Sequence, residues 1–136
     1  MKITRLDHLV ITTKDISKSL YFYTNILGME LDENLFNEKK RYAVKFGNSK
    51  INIHVRAGEF QPAAKNPTIG SGDLCFIVDG DINNIKKEVE SKGITIEEGV
   101  VKRTGALGPI DSIYLRDPDE NLIEISTYNI DVAIKD

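Results

Sequence analysis

Positive charge is not in surplus in this chain, cysteine is nearly absent, and no long apolar run interrupts it. The 136 residues carry a formal net charge of −3, so nucleic acid and anionic membranes are not expected partners. A single cysteine, Cys75, excludes an intrachain disulfide and fits a reducing cytosol. Its setting, Leu74-Cys75-Phe76-Ile77-Val78, reads as a buried strand thiol rather than a nucleophile. No apolar stretch is long enough to cross a bilayer, and the N-terminus begins on strand-like alternation rather than a signal sequence. Histidine is scarce as well: only His8 and His54. What remains is an ordinary mixture of apolar and charged residues, expected to form one cytoplasmic domain over residues 1–136.

Taken in order, residues 3–13 read as a strand containing His8. Asp15 is placed to cap a helix whose apolar positions are Ile16, Leu20, Tyr23 and Leu27, and Gly28 to end it. Residues 29–35, 41–46 and 50–56 read as three further strands, the last two joined by a tight turn at Gly47-Asn48-Ser49. Residues 57–71 carry Pro62, Pro67, Gly58 and Gly70 without a period and read as a connecting loop. The pattern then returns. Residues 73–78 make a strand, Asp81 a cap, Ile82, Ile85 and Val89 a helix face, and Gly93 a stop. A strand beginning at residues 94–96, a flexible loop at 103–109, and strands at 110–116 and 122–128 follow. Residues 129–136 read as a short extension. The chain is thus an α+β fold of two βαβββ modules, residues 3–57 and 71–129. A half this small cannot bury its sheet alone, so the modules are expected to pair, within one chain or between two.

Overlaying the modules sets His8 against Asp73, and His54 against Glu124. Glu124 is the most pointed of the four. Side chains alternate along a strand, so it shares a face with Leu122 and Ser126 while Ile123 and Ile125 fill the other. An ionised carboxylate on a half-buried face is costly unless paired or metal-bound. By itself it reads equally well as a solvated edge residue, as a lone strand histidine reads as a core or surface residue. Two imidazoles and two carboxylates at repeated positions point to one divalent transition metal, Zn, Ni, Mn, Fe or Co, in preference to Ca or Mg. A structural polar cluster without metal is the alternative.

The chain resembles the vicinal oxygen chelate superfamily, which includes glyoxalase I, fosfomycin-resistance enzymes, methylmalonyl-CoA epimerase, extradiol dioxygenases and bleomycin-resistance proteins. The resemblance runs from Leu6-Asp7-His8 through Phe22-Tyr23 and Leu27-Gly28-Met29 to Asp117-Pro118-Asp119-Glu120-Asn121 and Glu124. It is most similar to the small glyoxalase-domain or dioxygenase-related subgroup, marked by Lys50-Ile51-Asn52-Ile53-His54 and Arg103-Thr104-Gly105. The family turn usually ends Asp-Gly-Asn, so Glu120 departs from it, and Asp73 stands where the family usually has histidine. The resemblance implies modules curled into a cup around one metal, with His8, His54, Asp73 and Glu124 as ligands, and a homodimer. It implies Glu124 as a proton-transferring base and Tyr114 as a proton donor or substrate contact, though plain aromatic packing would equally account for Tyr114. Asn52 and Arg56, on the His54 strand face, and Arg103, on the glycine-containing loop, are candidate substrate contacts; either arginine also reads as a solvated charge. The implied activity is a glyoxalase- or epimerase-type lyase or isomerase acting on a small molecule with vicinal oxygens. An extradiol dioxygenase and a metal-free small-molecule binding protein of the bleomycin-resistance type are the alternatives.

Overall fold

Alternating apolar residues decide both sheets, and a computed structural model of the chain, described here for residues 1–128, shows the outcome. Eight strands and three α-helices run in the order β1 (His8–Thr12), α1 (Ile16–Tyr21), β2 (Glu30–Leu31), α2 (Glu33–Lys39), β3 (Tyr42–Phe46), β4 (Ser49–His54), β5 (Asp73–Ile77), α3 (Ile82–Ser91), β6 (Glu98–Gly105), β7 (Gly108–Arg116) and β8 (Leu122–Tyr128). The chain divides into two compact units between Gly72 and Asp73. Each holds a four-stranded mixed sheet, ordered β1-β4-β3-β2 in the first and β5-β8-β7-β6 in the second. In each, the opening and closing strands pair in parallel and the other pairs are antiparallel. The α+β class and the repeated order are those the sequence implies. The extension expected at 129–136 lies outside the described residues. No described helix is long and apolar enough to cross a membrane.

In the first unit, Ile51 and Ile53 of β4 and Val44 of β3 are fully buried, as is Tyr23, whose ring meets Phe22 edge-on at 5.1 Å. In the second, Ile113, Leu115, Ile123 and Ile125 are buried, and α3, which contacts β6 and β7, buries Ile82 and Val89. Each such side chain contributes roughly 1.5–3 kcal/mol by leaving water. Burying one face fixes the register, and period-two alternation then commits Lys50, Asn52 and His54, or Leu122, Glu124 and Ser126, to the opposite face.

The helix ends follow their caps. The Asp15 carboxylate accepts from the Lys18 amide at 3.1 Å, and that of Asp81 from the Asn83 and Asn84 amides at 2.8 and 3.2 Å. Helix α1 continues into a π-helical turn, Phe22–Ile26, and the chain leaves through Gly28 at φ +76°, a conformation that favours glycine.

Five sequence expectations are corrected. The strand expected at 29–35 is only the two residues of β2, because Asp32 caps a new helix through the Leu35 amide at 3.1 Å. The first strand starts at His8 rather than residue 3, and β4 ends at His54, leaving Arg56 beyond it. The expected strand at 94–96 is absent, since β6 begins at Glu98. The expected loop at 103–109 is a hairpin whose strands pair down to Gly105 and Gly108, so Arg103 stands on a strand.

Candidate active site

The face opposite the second unit's core is built around Glu124, in mid-β8. Directly across on β7 stands Tyr114, and Ser112 pairs with Ser126 one step along the same face. The Ser112 hydroxyl donates to Glu124 Oε2 at 2.7 Å, Ser126 Oγ lies 3.4 Å from the same oxygen, and the two hydroxyls are 2.6 Å apart. Arg103 on β6 donates from Nε to the Tyr114 hydroxyl at 3.0 Å and from Nη2 to Glu98 at 3.2 Å. Burial raises the Tyr114 phenol above its ordinary pKa; Arg103 opposes the shift and Glu124 adds to it. The phenol therefore stays protonated at neutral pH, a donor rather than a base. A cavity of about 410 Å³ opens on this face, lined by Cys75, Arg103, Tyr114, Glu124 and Tyr128 among others.

Cys75 is not the buried thiol its neighbours suggest. It is exposed on this face, with Sγ 3.4 Å from Ser126 Oγ. Partial burial raises its pKa; the Ser126 hydroxyl opposes this and Glu124 adds to it. A raised thiol pKa argues against a nucleophile.

On the corresponding face of the first unit stand His8, Lys50, Asn52 and His54. His8 Nδ1 lies 2.8 Å from Asp7 Oδ2, a carboxylate–imidazole pair that orients the ring and, with the proton on Nδ1, leaves the lone pair on Nε2. The contact with His8 lowers the Asp7 pKa, with Arg5 contributing. Asn52 Oδ1 is buried without a hydrogen-bond partner. His54 sits at the end of β4 with its ring edge-on to Phe60 at 5.1 Å. Arg56 is exposed and ion-paired with Glu59 at 3.6 Å.

The hydrogen-bond ladders correct the overlay of the two modules. His8 pairs with Lys50 and Asp73 with Leu122. Just past those strands, Thr13 donates to the His54 carbonyl at 2.8 Å and Val78 to that of Ser126 at 2.9 Å. His8 therefore does correspond to Asp73, but Glu124 corresponds to Asn52, and His54 to Ser126. A slip of two residues is invisible to hydrophobic patterning, because every apolar side chain still faces the core.

The slip matters chemically. His54 lies opposite Thr12, four register steps from His8, or roughly 13 Å at ~3.3 Å per residue. Asn52 lies two steps from His8's partner, as Glu124 does from Asp73's. Taken by itself, neither unit brings together three described His, Cys, Asp or Glu side chains close enough to hold a metal. Each offers one opening-strand donor and one closing-strand donor. The hydroxyls of Ser112 and Ser126 were absent from the sequence's site residues; their signal is the Glu124 face itself, which alternation extends to Ser126.

Comparison with known proteins bears on the family and the fold. A family model described as the Glyoxalase/Bleomycin resistance protein/Dioxygenase superfamily matches residues 5–125. A virulence protein of Salmonella typhimurium is 51% identical over 94% of this chain and 87% of its own length. The human mitochondrial methylmalonyl-CoA epimerase is 31% identical, over 89% of this chain and 72% of its own. Among solved structures, an integron cassette protein from Vibrio cholerae superposes with a TM-score of 0.88 at 51% identity, covering 95% of this chain and 98% of that one.

Proposed function

The chain belongs to the glyoxalase/bleomycin resistance protein/dioxygenase superfamily, and from that premise we propose a divalent-metal-dependent lyase or isomerase of the glyoxalase or epimerase type. Its substrate is a small molecule with adjacent oxygens. The observation that carries this reading is Asn52 Oδ1, a buried acceptor without a donor at the position corresponding to Glu124. Leaving such an atom unsatisfied costs about 1–3 kcal/mol, and an oxygen in that state is suited to a cation. The candidate donors are His8 and Asn52 in the first module and, in the second, Asp73 and Glu124. Imidazole together with oxygen donors suits Zn, Ni, Mn, Fe or Co. Bound there, such an ion supplies the positive charge that holds two vicinal oxygens and acidifies an adjacent C–H.

The remaining chemistry falls to the chain. Glu124 is the proton-transferring base, or a ligand that would dissociate to act as one: Ser112 holds its Oε2 and leaves Oε1 for that role. Tyr114, positioned by Arg103, donates its hydroxyl proton to a substrate oxygen. The similarity to the human methylmalonyl-CoA epimerase supports an epimerase-type reaction. The separation of His8 from His54 disfavours the two-imidazole iron face of an extradiol dioxygenase.

Elemental analysis of protein prepared without chelator or affinity-tag metal tests the reading. Near-stoichiometric transition metal is expected, lost in His8→Ala, Asn52→Leu, Asp73→Ala and Glu124→Gln but kept in His54→Ala. No metal after adding each of the five candidate ions would sink the proposal in favour of a binding protein. Iron, with oxygen uptake on catechols, would move it to the dioxygenases.

A further inference from the structure

We propose that the first module carries an anion subsite formed by Arg41, Lys50 and His54, and that the substrate is accordingly a small organic anion bearing a carboxylate, phosphate or phosphonate group. A hollow of about 80 Å³ is lined by Leu35, Arg41, Tyr42, Lys50, Asn52 and His54. At about 30 Å³ per water, that is two to three waters' worth of space, the bulk of one oxyanion group. Of the six lining residues Arg41 and Lys50 are cationic, His54 offers a ring nitrogen, and none is acidic. Among the described residues, neither Arg41 nor Lys50 has a carboxylate within ion-pair distance.

Two further features single this corner out. Lys50 is paired directly across the ladder with Lys45, an arrangement of like charges that destabilises a sheet and that a bound anion would relieve. Phe60 holds the other two groups in place: the Arg41 guanidinium lies 3.7 Å from its ring centroid, and the His54 ring meets it edge-on. A guanidinium laid on an aromatic face keeps its N–H fork free for an oxyanion. In the second module the positions of Lys50 and His54 hold Leu122 and Ser126, so these two polar groups are peculiar to the first. His54 is thus assigned to the substrate's anionic group rather than to the metal. That the anion belongs to the substrate rests on the proton-transfer reading above; that an anion binds here does not.

The test is a titration of the full chain with inorganic phosphate and, separately, acetate, followed by amide chemical shifts at constant ionic strength. It is run on chelator-treated protein and on zinc-loaded protein. The expected result is saturable shifts at Arg41, Lys50, His54 and Phe60 in both forms, weakened about tenfold in Arg41→Gln and Lys50→Gln and unchanged in Lys87→Gln, on the exposed side of α3. Preference for phosphate or acetate then assigns the group. Binding only in the zinc form that survives Arg41→Gln would make the anion a metal ligand and overturn the subsite. No saturable shift in either form, or shifts elsewhere, would overturn it too. Saturation in a chain that never takes up metal would leave the subsite standing and remove the metal reading.

Discussion

The two modules share a strand order and a register but present different chemistry on equivalent faces. In the second, Glu124 faces Tyr114 and is held by two serine hydroxyls. In the first, the equivalent Asn52 faces Ala43, which offers no polar group, and its oxygen is left unpartnered. Around Asn52 stand Arg41 and Lys50, whereas around Glu124 stand neutral hydroxyls, a phenol and an arginine, Arg103, that is paired with Glu98. Under the proposed readings, one scaffold used twice would leave a proton-handling face on one module and an anion-attracting face on the other. The lesson is that a repeat fixes where donors stand, while the facing strand decides what they can do.

The sharpest way to break this comparison is to relieve the first module's unsatisfied atom. Asn52→Leu replaces a buried acceptor without a partner by a side chain of similar size, so the metal-free chain should gain about 1–2 kcal/mol. Urea unfolding of chelator-treated protein measures this. Unchanged or lower stability would mean that Asn52 Oδ1 is satisfied in solution, and the asymmetry drawn here would disappear.

How much of this was legible from sequence follows from what periodicity records. The α+β class, the repeated order, the caps at Asp15 and Asp81 and the face holding Glu124 all follow from spacing and turn chemistry. The two-residue slip was not legible, since moving His54 from the position of Glu124 to that of Ser126 keeps Ile51 and Ile53 inside. Nor was the exposure of Cys75, because Leu74-Cys75-Phe76-Ile77 is apolar on both faces of a strand whose buried side alternation alone cannot pick. Helix α2 was hidden by a short segment in which Leu31 and Leu35 suit a strand as well as a helix; the Asp32 cap decides it. The Arg41, Phe60 and His54 corner unites a strand edge with a loop residue, and no local pattern announces such a contact.

The second module's advantage can be weakened at its support rather than at its donor. Ser112→Ala removes the 2.7 Å hydrogen bond to Glu124 without touching the carboxylate, and Ser126 remains beside it. Under the proposed metal reading, affinity should fall about tenfold, the lower end for loss of an outer partner, as read by competition with a chelator. The same substitution should leave phosphate binding in the first module unchanged. Equal weakening of both would show that the division of labour between modules is wrong.

A smaller effect is expected where each module holds one non-glycine residue at positive φ: Lys40 at +56° and Glu120 at +71°. Glu120 occupies the turn position where the family usually has glycine. There the Asp117 carboxylate accepts from the Asp119 and Asn121 amides, each at 2.9 Å, and from the Asn121 side chain at 2.8 Å. These bonds hold the left-handed residue in place. Glu120→Gly should therefore stabilise the chain by roughly 1 kcal/mol, the low end of the left-handed cost to an L-residue after allowance for glycine's greater freedom when unfolded. Lys40→Gly, at the C-terminus of α2, should do the same to a similar degree. A loss of stability at Glu120 alone would mean that its side chain contributes more to the turn than its backbone costs.

The smallest expected effect uses Cys75 as a reporter of charge on the second face. Its counterpart by register in the first module is Val10, so only the second face carries a thiol. Partial burial raises the Cys75 pKa, and the Glu124 carboxylate adds to that shift. Thiolate is the reactive form, so alkylation by iodoacetamide should be slow at neutral pH and should rise as pH climbs toward the raised pKa. Glu124→Gln removes the like charge, lowers the thiol pKa and increases the thiolate fraction at a fixed pH below it. Alkylation of the metal-free variant should then be several-fold faster at pH 8, while Ser126→Ala, which removes the hydroxyl that stabilises the thiolate, should be slower. If Glu124→Gln left the rate unchanged, the carboxylate would be screened from the thiol by solvent.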